Sequence, residues 1–192
     1  MKIGVDIDDT LAQTTNYLMP LAIKFDKDIL HKNGIVDSTK DLPRCFDWNN
    51  DELRLFFRTV FENEVLNIPP MDEVKKVIKK LREDGNHIII ISSRNNIQLS
   101  NPYDITQKWL SINEIEFDKL IVNAKYKGPV VEEEKIDLLI DDSIGQCTFI
   151  ADNNKIPVVL YAKDTNQIEY QGIIRLESWE QIYNYILNLE NK

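Results

Sequence analysis

The chain begins Met1-Lys-Ile-Gly-Val-Asp-Ile-Asp-Asp-Thr10, a short apolar run that ends in carboxylates. Residues 3–5 are apolar without helical periodicity, which is typical of a buried parallel strand. Asp6, Asp8 and Asp9 follow this run, and we expect them at the carboxyl edge of the sheet, where open α/β sheets bind ligands. Three neighbouring acids repel one another unless protons or a cation compensate their charge. Mg²⁺ prefers such oxygen ligands, so the stretch predicts either a magnesium site or an acidic turn without a ligand.

Size and charge narrow the classes of protein to consider. The 192 residues, of which 43% are hydrophobic and 29% charged, predict one globular domain with room for a small insert. The net charge of −9 argues against binding to a nucleic-acid polymer or to an anionic membrane, because both need a basic surface.

Several features together predict a cytoplasmic protein. Cys45 and Cys147 match no metal or redox spacing, so we interpret them as free thiols in a reducing compartment. Only three uncharged residues separate Lys2 from Asp6, which is too few for a secretion signal. The longest aliphatic run, Ile88–Ile91, is far too short to cross a bilayer.

Residues 15–71 lack the alternation of strands and predict a small helical cap inserted after the first strand. We expect Asp51 to cap the second of its helices, and Pro69-Pro70 to close the region. The predicted division is therefore an α/β core of residues 1–14 and 72–192 with a cap of residues 15–71. Apolar residues at helical spacing support both cap helices: Leu18, Leu21, Ala22 and Phe25 in the first, and Leu53, Phe56, Phe57, Val60 and Phe61 in the second.

The rest of the chain alternates between predicted helices and strands. Asp72 is placed as the cap of one helix, Asp104 and Gln107 as a capping box of the next, and Ser178 and Gln181 as a capping box of the last. Five strands interleaved with helices predict a three-layer α/β fold with a parallel sheet. After residues 3–5, the strands are Ile88–Ile91, Leu120–Val122, Leu138–Ile140 and Ile156–Tyr161.

Three of these strands end in polar residues that suit one common site. The first ends in Asp6 and Asp8, the second in Ser92, and the fourth in Asp141-Asp142. The carboxyl ends of parallel strands meet at one edge, so residues far apart in sequence can converge there. A metal ion held by these acids, with a hydroxyl group beside it, could bind an anion. Phosphate is the candidate ligand.

These residues resemble the motifs of the haloacid dehalogenase-like phosphohydrolases. Asp6-Ile-Asp8-Asp9-Thr10 matches their Asp-x-Asp-x-Thr signature, Ser92 resembles the second motif, and Asp141-Asp142 resembles the acidic fourth. The third motif is a lysine, for which Lys127 is our choice and Lys125 the alternate. The sequence departs from the family motifs at two points. The spacing from Lys127 to Asp141 is unusual, and Ser92-Ser93 stands where many relatives have threonine and a small residue. The resemblance implies a Rossmann-like fold with a small cap.

Within this superfamily the chain looks most like the 5′(3′)-deoxyribonucleotidases and their bacterial nucleotidase relatives. The stretches that carry this likeness are Ile88-Ile-Ile-Ile-Ser-Ser-Arg94, Thr106-Gln-Lys-Trp-Leu110, Ile136-Asp-Leu-Leu-Ile-Asp-Asp142 and Ile156-Pro-Val-Val-Leu-Tyr161, followed by Asn166, Arg175 and Ser178-Trp179-Glu180.

The resemblance also implies roles for single residues. Asp6 would be the nucleophile and Asp8 the proton donor, with the backbone carbonyl of Asp8 also binding Mg²⁺. Asp6 and either Asp142 or Asp141 would supply carboxylates to the metal, and the sequence leaves that choice open. The phosphate would be held by Ser92, by the backbone near Ser93 and by Lys127. Thr10 would orient Asp8 or cap the following helix, and Arg94 would contact phosphate or form a local salt bridge.

The sequence thus predicts a Mg²⁺-dependent phosphatase acting on a small phosphomonoester, with a (deoxy)nucleoside monophosphate as the favoured substrate. One alternative is a phosphatase of a sugar phosphate or another small metabolite. A second is a non-catalytic domain that binds Mg²⁺ or phosphate, although such a domain has no need of Asp8 as a second aspartate. Four aromatic residues of the cap could stack on a base or form its core: Phe46, Trp48, Phe57 and Phe61.

Overall fold

The computed structural model describes residues 1–190, and its centre is a parallel β-sheet. Within these residues the sheet has six strands in the order β3-β2-β1-β4-β5-β6. The predicted parallel α/β fold is confirmed, whereas the predicted number of five strands is wrong. The strands are β1 (Lys2–Val5), β2 (His87–Ile91), β3 (Lys119–Ile121), β4 (Leu138–Asp141), β5 (Val158–Tyr161) and β6 (Ile173–Leu176).

The strand missing from the prediction, β6, lies at one edge of the sheet and pairs only with β5. Its four residues are intermediate or exposed, unlike those of the central strands. A strand at the edge of a sheet pairs with a neighbour on one side only, and its side chains are less buried than those of central strands. It therefore needs no continuous apolar run. Its sequence signal is therefore weaker than that of Ile88–Ile91.

Helices lie between the strands and before the second one. In chain order they are α1 (Thr14–Asp28), α2 (Asn50–Phe56), a π-helical turn (Phe57–Phe61), α3 (Glu62–Glu64), a 3₁₀ turn (Val65–Asn67), α4 (Val74–Glu83), α5 (Pro102–Ile112), α6 (Gly128–Glu134), α7 (Ile144–Asn153), a 3₁₀ turn (Asp164–Asn166) and α8 (Trp179–Glu190).

The sheet is covered on both faces, which gives three layers. Ile88 and Ile90 of β2 point into a core that includes the apolar faces of α4, α5 and α8. Ile89 and Ile91 point into a second core with α6 and α7. This alternation explains why β2 is apolar at every position, since both of its faces are buried.

Helix α1 begins one residue before the predicted cap, α2 and α3 lie within residues 15–71, and α1 and α2 pack on the first of these cores. Asn49 caps α2 by accepting hydrogen bonds from the backbone N–H groups of Asp51 and Glu52. The predicted cap at Asp51 is therefore wrong by two residues. The exact limits of the cap, residues 15 and 71, stay a prediction.

The other predicted helix caps are corrected in part. Glu73 precedes α4, and the side chain of Asp72 makes no cap there. Asn101 caps α5, so the predicted box of Asp104 and Gln107 is wrong. At α8, the Gln181 N–H donates to Ser178 Oγ at 3.2 Å, which is one half of the predicted box.

None of the helices in the described part of the chain combines the length and the hydropathy of a membrane span. Cys45 and Cys147 are free and buried.

The order of the strands places the ends of β1 and β4 side by side. From β1 the chain adds β2 and β3 on one side, then crosses to add β4, β5 and β6 on the other. This reversal is a topological switch point, where open α/β sheets bind ligands at the carboxyl ends of their strands.

Candidate active site

Three carboxylates converge at this switch point. Asp6 follows β1, and its N–H donates to the carbonyl of Ile140 in β4 at 3.0 Å. Asp6, Asp141 and Asp142 each offer a carboxylate oxygen that lies within 4.8 Å of the other two. The two segments are 135 residues apart in sequence, and their parallel pairing is what brings the acids together.

Lys127 binds two of these three acids. It lies immediately before α6, and its Nζ is 2.5 Å from Asp6 Oδ1 and 2.5 Å from Asp141 Oδ2. Burial opposes the charge of the lysine, but Asp141 and Asp6 outweigh it and hold the pKa of Lys127 above its ordinary value. Lys125, the alternate in the sequence, lies over the ring of Tyr126 instead, with Nζ 5.4 Å from the ring centroid.

Asp8 occupies a separate position and binds Arg94. Its carboxylate accepts hydrogen bonds from Arg94 Nε at 3.0 Å and from Arg94 Nη2 at 2.8 Å. Burial acts to raise the pKa of Asp8, but the charge and hydrogen bonds of Arg94 outweigh this effect, so the pKa is lowered. The guanidinium group is buried and lies over the rings of Phe61 and Trp109, at 5.7 and 5.9 Å from their centroids. Of the two interpretations of Arg94, the structure contains the local salt bridge.

Thr14, which the sequence analysis missed, orients Asp8. Its Oγ1 donates to Asp8 Oδ1 at 2.7 Å. Thr10 is fully buried, its Oγ1 has no hydrogen-bond partner among residues 1–190, and it does not cap α1. The role expected of Thr10 is therefore filled by a threonine four residues later. Asp9 accepts a hydrogen bond from the Thr15 N–H at 2.7 Å and so supports the first turn of α1.

The residues after β2 form the other wall of the site. Ser92 is buried, and its Oγ accepts a hydrogen bond from the Arg94 N–H at 3.2 Å. Ser93 is exposed. Their contact with a phosphate group stays a prediction.

Lys163, two residues after the end of β5, is a second lysine of the site and was also missed. Its Nζ lies 2.7 Å from Asp142 Oδ2, 3.2 Å from Asp9 Oδ2 and 3.2 Å from Asp41 Oδ1. The rule that located Asp6 and Asp141 would have found it, since Lys163 also follows the carboxyl end of a parallel strand.

The site carries more negative than positive charge. Burial raises the pKa of Asp6 well above its ordinary value, with Lys127 opposing this effect. Burial also raises the pKa of Asp142 to about 7; the charge of Asp141 adds to the increase and that of Lys163 opposes it. Five core carboxylates face three cations, which leaves an excess suited to a divalent cation: Asp6, Asp8, Asp9, Asp141 and Asp142 against Arg94, Lys127 and Lys163. Carboxylate oxygens are the ligands that Mg²⁺ prefers, so the residues fit that ion.

The aromatic residues of the cap belong to the first of the two hydrophobic cores. The rings of Phe46 and Trp48 stack with centroids 4.4 Å apart, and the indole N–H of Trp48 donates to buried Asp26 at 2.6 Å. Phe61 is buried, and Phe57 is half-buried and packs against it. The structure therefore assigns these rings to packing rather than to a surface on which a base could stack.

Solved structures with the same architecture are known. A "predicted phosphoglycolate phosphatase" from Haemophilus somnus has a TM-score of 0.66 and 17% sequence identity, with 96% of each chain covered. The "putative HAD-hydrolase YfnB" of Bacillus subtilis, bound to magnesium, has a TM-score of 0.64 and 14% identity, covering 97% of this chain and 98% of its own.

The chain has the fold of the haloacid dehalogenase-like hydrolases.

The fold that the resemblance implied is thereby confirmed. No family model matches the sequence. Among curated proteins, the "Putative nucleotidase YqfW" of Bacillus subtilis is 25% identical over 195 residues, which cover 98% of this chain and 94% of that protein.

Proposed function

We propose that the protein is a Mg²⁺-dependent phosphatase that hydrolyses a small phosphomonoester through an aspartyl-phosphate at Asp6. The observation that carries this proposal is the convergence of Asp6, Asp141 and Asp142 within 4.8 Å beside the buried Lys127. A phosphate monoester needs a nucleophile, compensation of its negative oxygens and a protonated leaving group. The site contains residues suited to each of these tasks.

Asp6 and Asp142 would hold the metal ion. Both carboxylate oxygens of Asp141 are already bonded, Oδ2 to Lys127 and Oδ1 to the Ser143 N–H at 2.8 Å. Asp142 directs Oδ2 to Lys163, which leaves Oδ1 for a ligand. This difference favours Asp142 over Asp141, with Asp141 holding Lys127 in place. When bound, Mg²⁺ neutralises charge on the phosphoryl oxygens and lets the two anions approach.

In the first step, a carboxylate oxygen of Asp6 attacks phosphorus, and the bond from phosphorus to the leaving oxygen breaks. Asp6 would react through one carboxylate oxygen and help to hold the metal ion through the other; Oδ1 also accepts a hydrogen bond from Lys127. Lys127, the Ser92 hydroxyl and the backbone near Ser93 would bind the phosphoryl oxygens. Arg94 contributes by holding Asp8 rather than by binding phosphate directly.

Asp8 would move the proton in both steps. It gives a proton to the leaving alkoxide, and in the second step it takes one from the water that attacks phosphorus, while the bond from phosphorus to the Asp6 oxygen breaks and inorganic phosphate leaves. The ionised form that Arg94 favours suits the second step. The approach of a negatively charged substrate raises the pKa of Asp8 and so favours the protonated form needed in the first.

The favoured substrate is a (deoxy)nucleoside monophosphate, supported by the sequence motifs and by the name of the Bacillus subtilis relative. The packed aromatic residues of the cap offer no support for base stacking. A sugar phosphate or another small metabolite is therefore the second candidate, and the name of the Haemophilus somnus structure is of this kind.

A substrate panel tests the proposal. We expect Mg²⁺-dependent release of phosphate from p-nitrophenyl phosphate, and faster release from nucleoside monophosphates than from sugar phosphates or 2-phosphoglycolate. A preference for sugar phosphates would reject the nucleotide assignment and retain the phosphatase. Absence of hydrolysis across the whole panel would reject the phosphatase. Asp51→Asn, which changes a carboxylate with a 93% exposed side chain, is the matched control for any variant of a site acid.

A further inference from the structure

Hydrogen bonds limit the oxygens that the candidate metal site can offer to an ion. Both carboxylate oxygens of Asp141 are already bonded. Asp6 accepts a hydrogen bond from Lys127 on Oδ1 and uses one oxygen to attack phosphorus in the proposed reaction. Asp142 places Oδ2 at 2.7 Å from Lys163 Nζ, which leaves Oδ1 for a ligand. At Asp142, therefore, the presence of Lys163 decides whether one oxygen or both can bind the ion.

The ammonium group of Lys163 lies among three carboxylates. Besides Asp142, it lies 3.2 Å from Asp9 Oδ2 and 3.2 Å from Asp41 Oδ1. A lysine ammonium has three donors, so one group can serve all three acids. The side chains of Lys163 and Asp142 are only 16% and 14% exposed, so solvent screens their ion pair less than a surface pair. An ion that needs Asp142 Oδ2 must therefore displace a largely buried ion pair.

The backbone of Lys163 is fixed beside Asp142. The Lys163 N–H donates to Asn166 Oδ1 at 2.7 Å, and the Lys163 carbonyl accepts from Arg175 Nη2 at 2.8 Å. Asn166 is buried, and its Nδ2 donates to the carbonyl of Asp142 at 2.9 Å. One hydrogen-bonded unit therefore holds both the lysine and the candidate metal ligand, which keeps the ammonium group close to Oδ2.

Mg²⁺ and Ca²⁺ use carboxylates differently. Mg²⁺ binds to one or two carboxylates and keeps several of its waters, whereas Ca²⁺ takes more oxygen ligands and often both oxygens of one carboxylate. Because Asp142 presents Oδ1 alone, it meets the needs of Mg²⁺. Ca²⁺ would gain from Oδ2 as well, but Lys163 occupies that oxygen. The ion pair of Lys163 with Asp142 thus disfavours Ca²⁺ more than Mg²⁺.

We propose that Lys163 is a positioning residue that determines the metal selectivity of the site: by occupying Asp142 Oδ2, it restricts Asp142 to one oxygen and so favours Mg²⁺ over Ca²⁺. This inference rests on the metal site of the proposed function.

The test is the affinity of the metal-free full chain for Mg²⁺ and for Ca²⁺, each measured by calorimetry. The ratio of the two affinities is compared, because a loss of structure or a change in net charge alters the binding of both divalent ions alike. In Lys163→Met, which offers no donor to Asp142, we expect the ratio of Ca²⁺ to Mg²⁺ affinity to rise about tenfold. Lys75→Met is the matched control, because Lys75 pairs with Glu114 on the surface and is 54% exposed. It should keep the wild-type ratio.

Two further variants complete the test. Lys163→Arg keeps a cationic donor beside Asp142 and should stay close to the wild-type ratio. Lys163→Met combined with Asp41→Asn leaves one fewer carboxylate unpaired, so it gives the same test if Lys163→Met alone does not fold. A wild-type ratio in the methionine variants, or a ratio in Lys163→Arg as high as theirs, would overturn the role of Lys163 and leave the proposed function intact. Failure of the wild-type protein to bind Mg²⁺ would overturn both proposals.

Discussion

Lys127 is the residue whose charge keeps Asp6 and Asp141 together in a buried site. We expect Lys127→Met to lower the free energy of unfolding of the metal-free protein by about 3 kcal/mol, because two buried carboxylates lose the cation they share. Denaturant unfolding measures this loss. Lys125→Met removes a neighbouring lysine that contacts neither acid and should change stability by less than about 0.5 kcal/mol. Equal stabilities of the two variants would contradict the role of Lys127.

The raised pKa of Asp142 predicts that the stability of the protein depends on pH. Burial raises its pKa from 3.8 to about 7, so between these two pH values the folded protein keeps a proton that the unfolded chain has lost. The native state then binds more protons, and stability must fall as the pH rises. The stabilisation that Asp142 contributes is fully present below its pKa in the unfolded chain, and it is lost as the pH rises through its pKa in the folded protein.

Thermal unfolding of the metal-free protein checks this prediction. Across that pH window, the melting temperature of the wild-type protein should fall more steeply than that of Asp142→Asn, which lacks the titrating carboxyl group. Parallel profiles for the two proteins would show that Asp142 does not titrate as expected.

Residues of the site differ in how visible they are in the sequence. Asp6, Ser92 and Asp141 follow continuous apolar strands, so their position at the sheet edge could be predicted. Two other contacts depend on how the chain folds. Thr14 donates a hydrogen bond to Asp8, and Lys163 donates one to Asp9, which lies 154 residues away in the sequence. Lys163 follows the predicted strand β5, so its place at the sheet edge could be predicted in the same way, whereas its partners Asp9 and Asp142 depend on the pairing of β4 with β5.

At the scale of elements, the cap loop depends on a buried carboxylate. Asp26 in α1 is fully buried and accepts hydrogen bonds from the Trp48 indole at 2.6 Å and from the Gly34 N–H at 2.7 Å. Trp48→Phe keeps an aromatic ring but leaves one oxygen of Asp26 without a donor, which we expect to cost about 1–3 kcal/mol in the free energy of unfolding.

Tyr17→Phe provides the comparison for this prediction. It also removes one donor to a carboxylate, since the Tyr17 hydroxyl donates to Glu64 at 2.8 Å, but both groups are partly exposed and water can replace the bond. Its cost should stay below about 1 kcal/mol. A Trp48→Phe variant as stable as Tyr17→Phe would contradict the structural role of Asp26.

The elements themselves were predictable where burial is complete. Ile88–Ile91 is covered on both faces and could be recognised as a strand, whereas the half-exposed edge strand β6 could not. Helix α6 could not be predicted because its seven residues, two of them buried, are too few to show a clear helical period. Helix caps were misplaced by one to three residues, because several polar residues precede each helix and only tertiary packing selects among them.

At the scale of the whole molecule, the fold gathers acids from distant parts of the sequence at one edge of the sheet, where Asp41 of the cap contacts Lys163 of the same site. The order in which strands are added reverses between β1 and β4, and the predicted cap follows β1 directly, so the proposed nucleophile and the cap come from neighbouring stretches of the chain. The contacts of Arg58 and Glu62 on one side and of Asp41 on the other join the cap to the core.

Hydrolysis of p-nitrophenyl phosphate by the wild-type protein and by Asp6→Asn, each with Mg²⁺ and with excess chelator, tests the proposed chemistry most directly. We expect turnover in one case alone, the wild-type protein with Mg²⁺, and a reduction by roughly a thousandfold or more in Asp6→Asn with its fold intact by circular dichroism. Wild-type rates in Asp6→Asn would remove Asp6 as the nucleophile. Undiminished hydrolysis in excess chelator would contradict a metal site formed by Asp6 and Asp142.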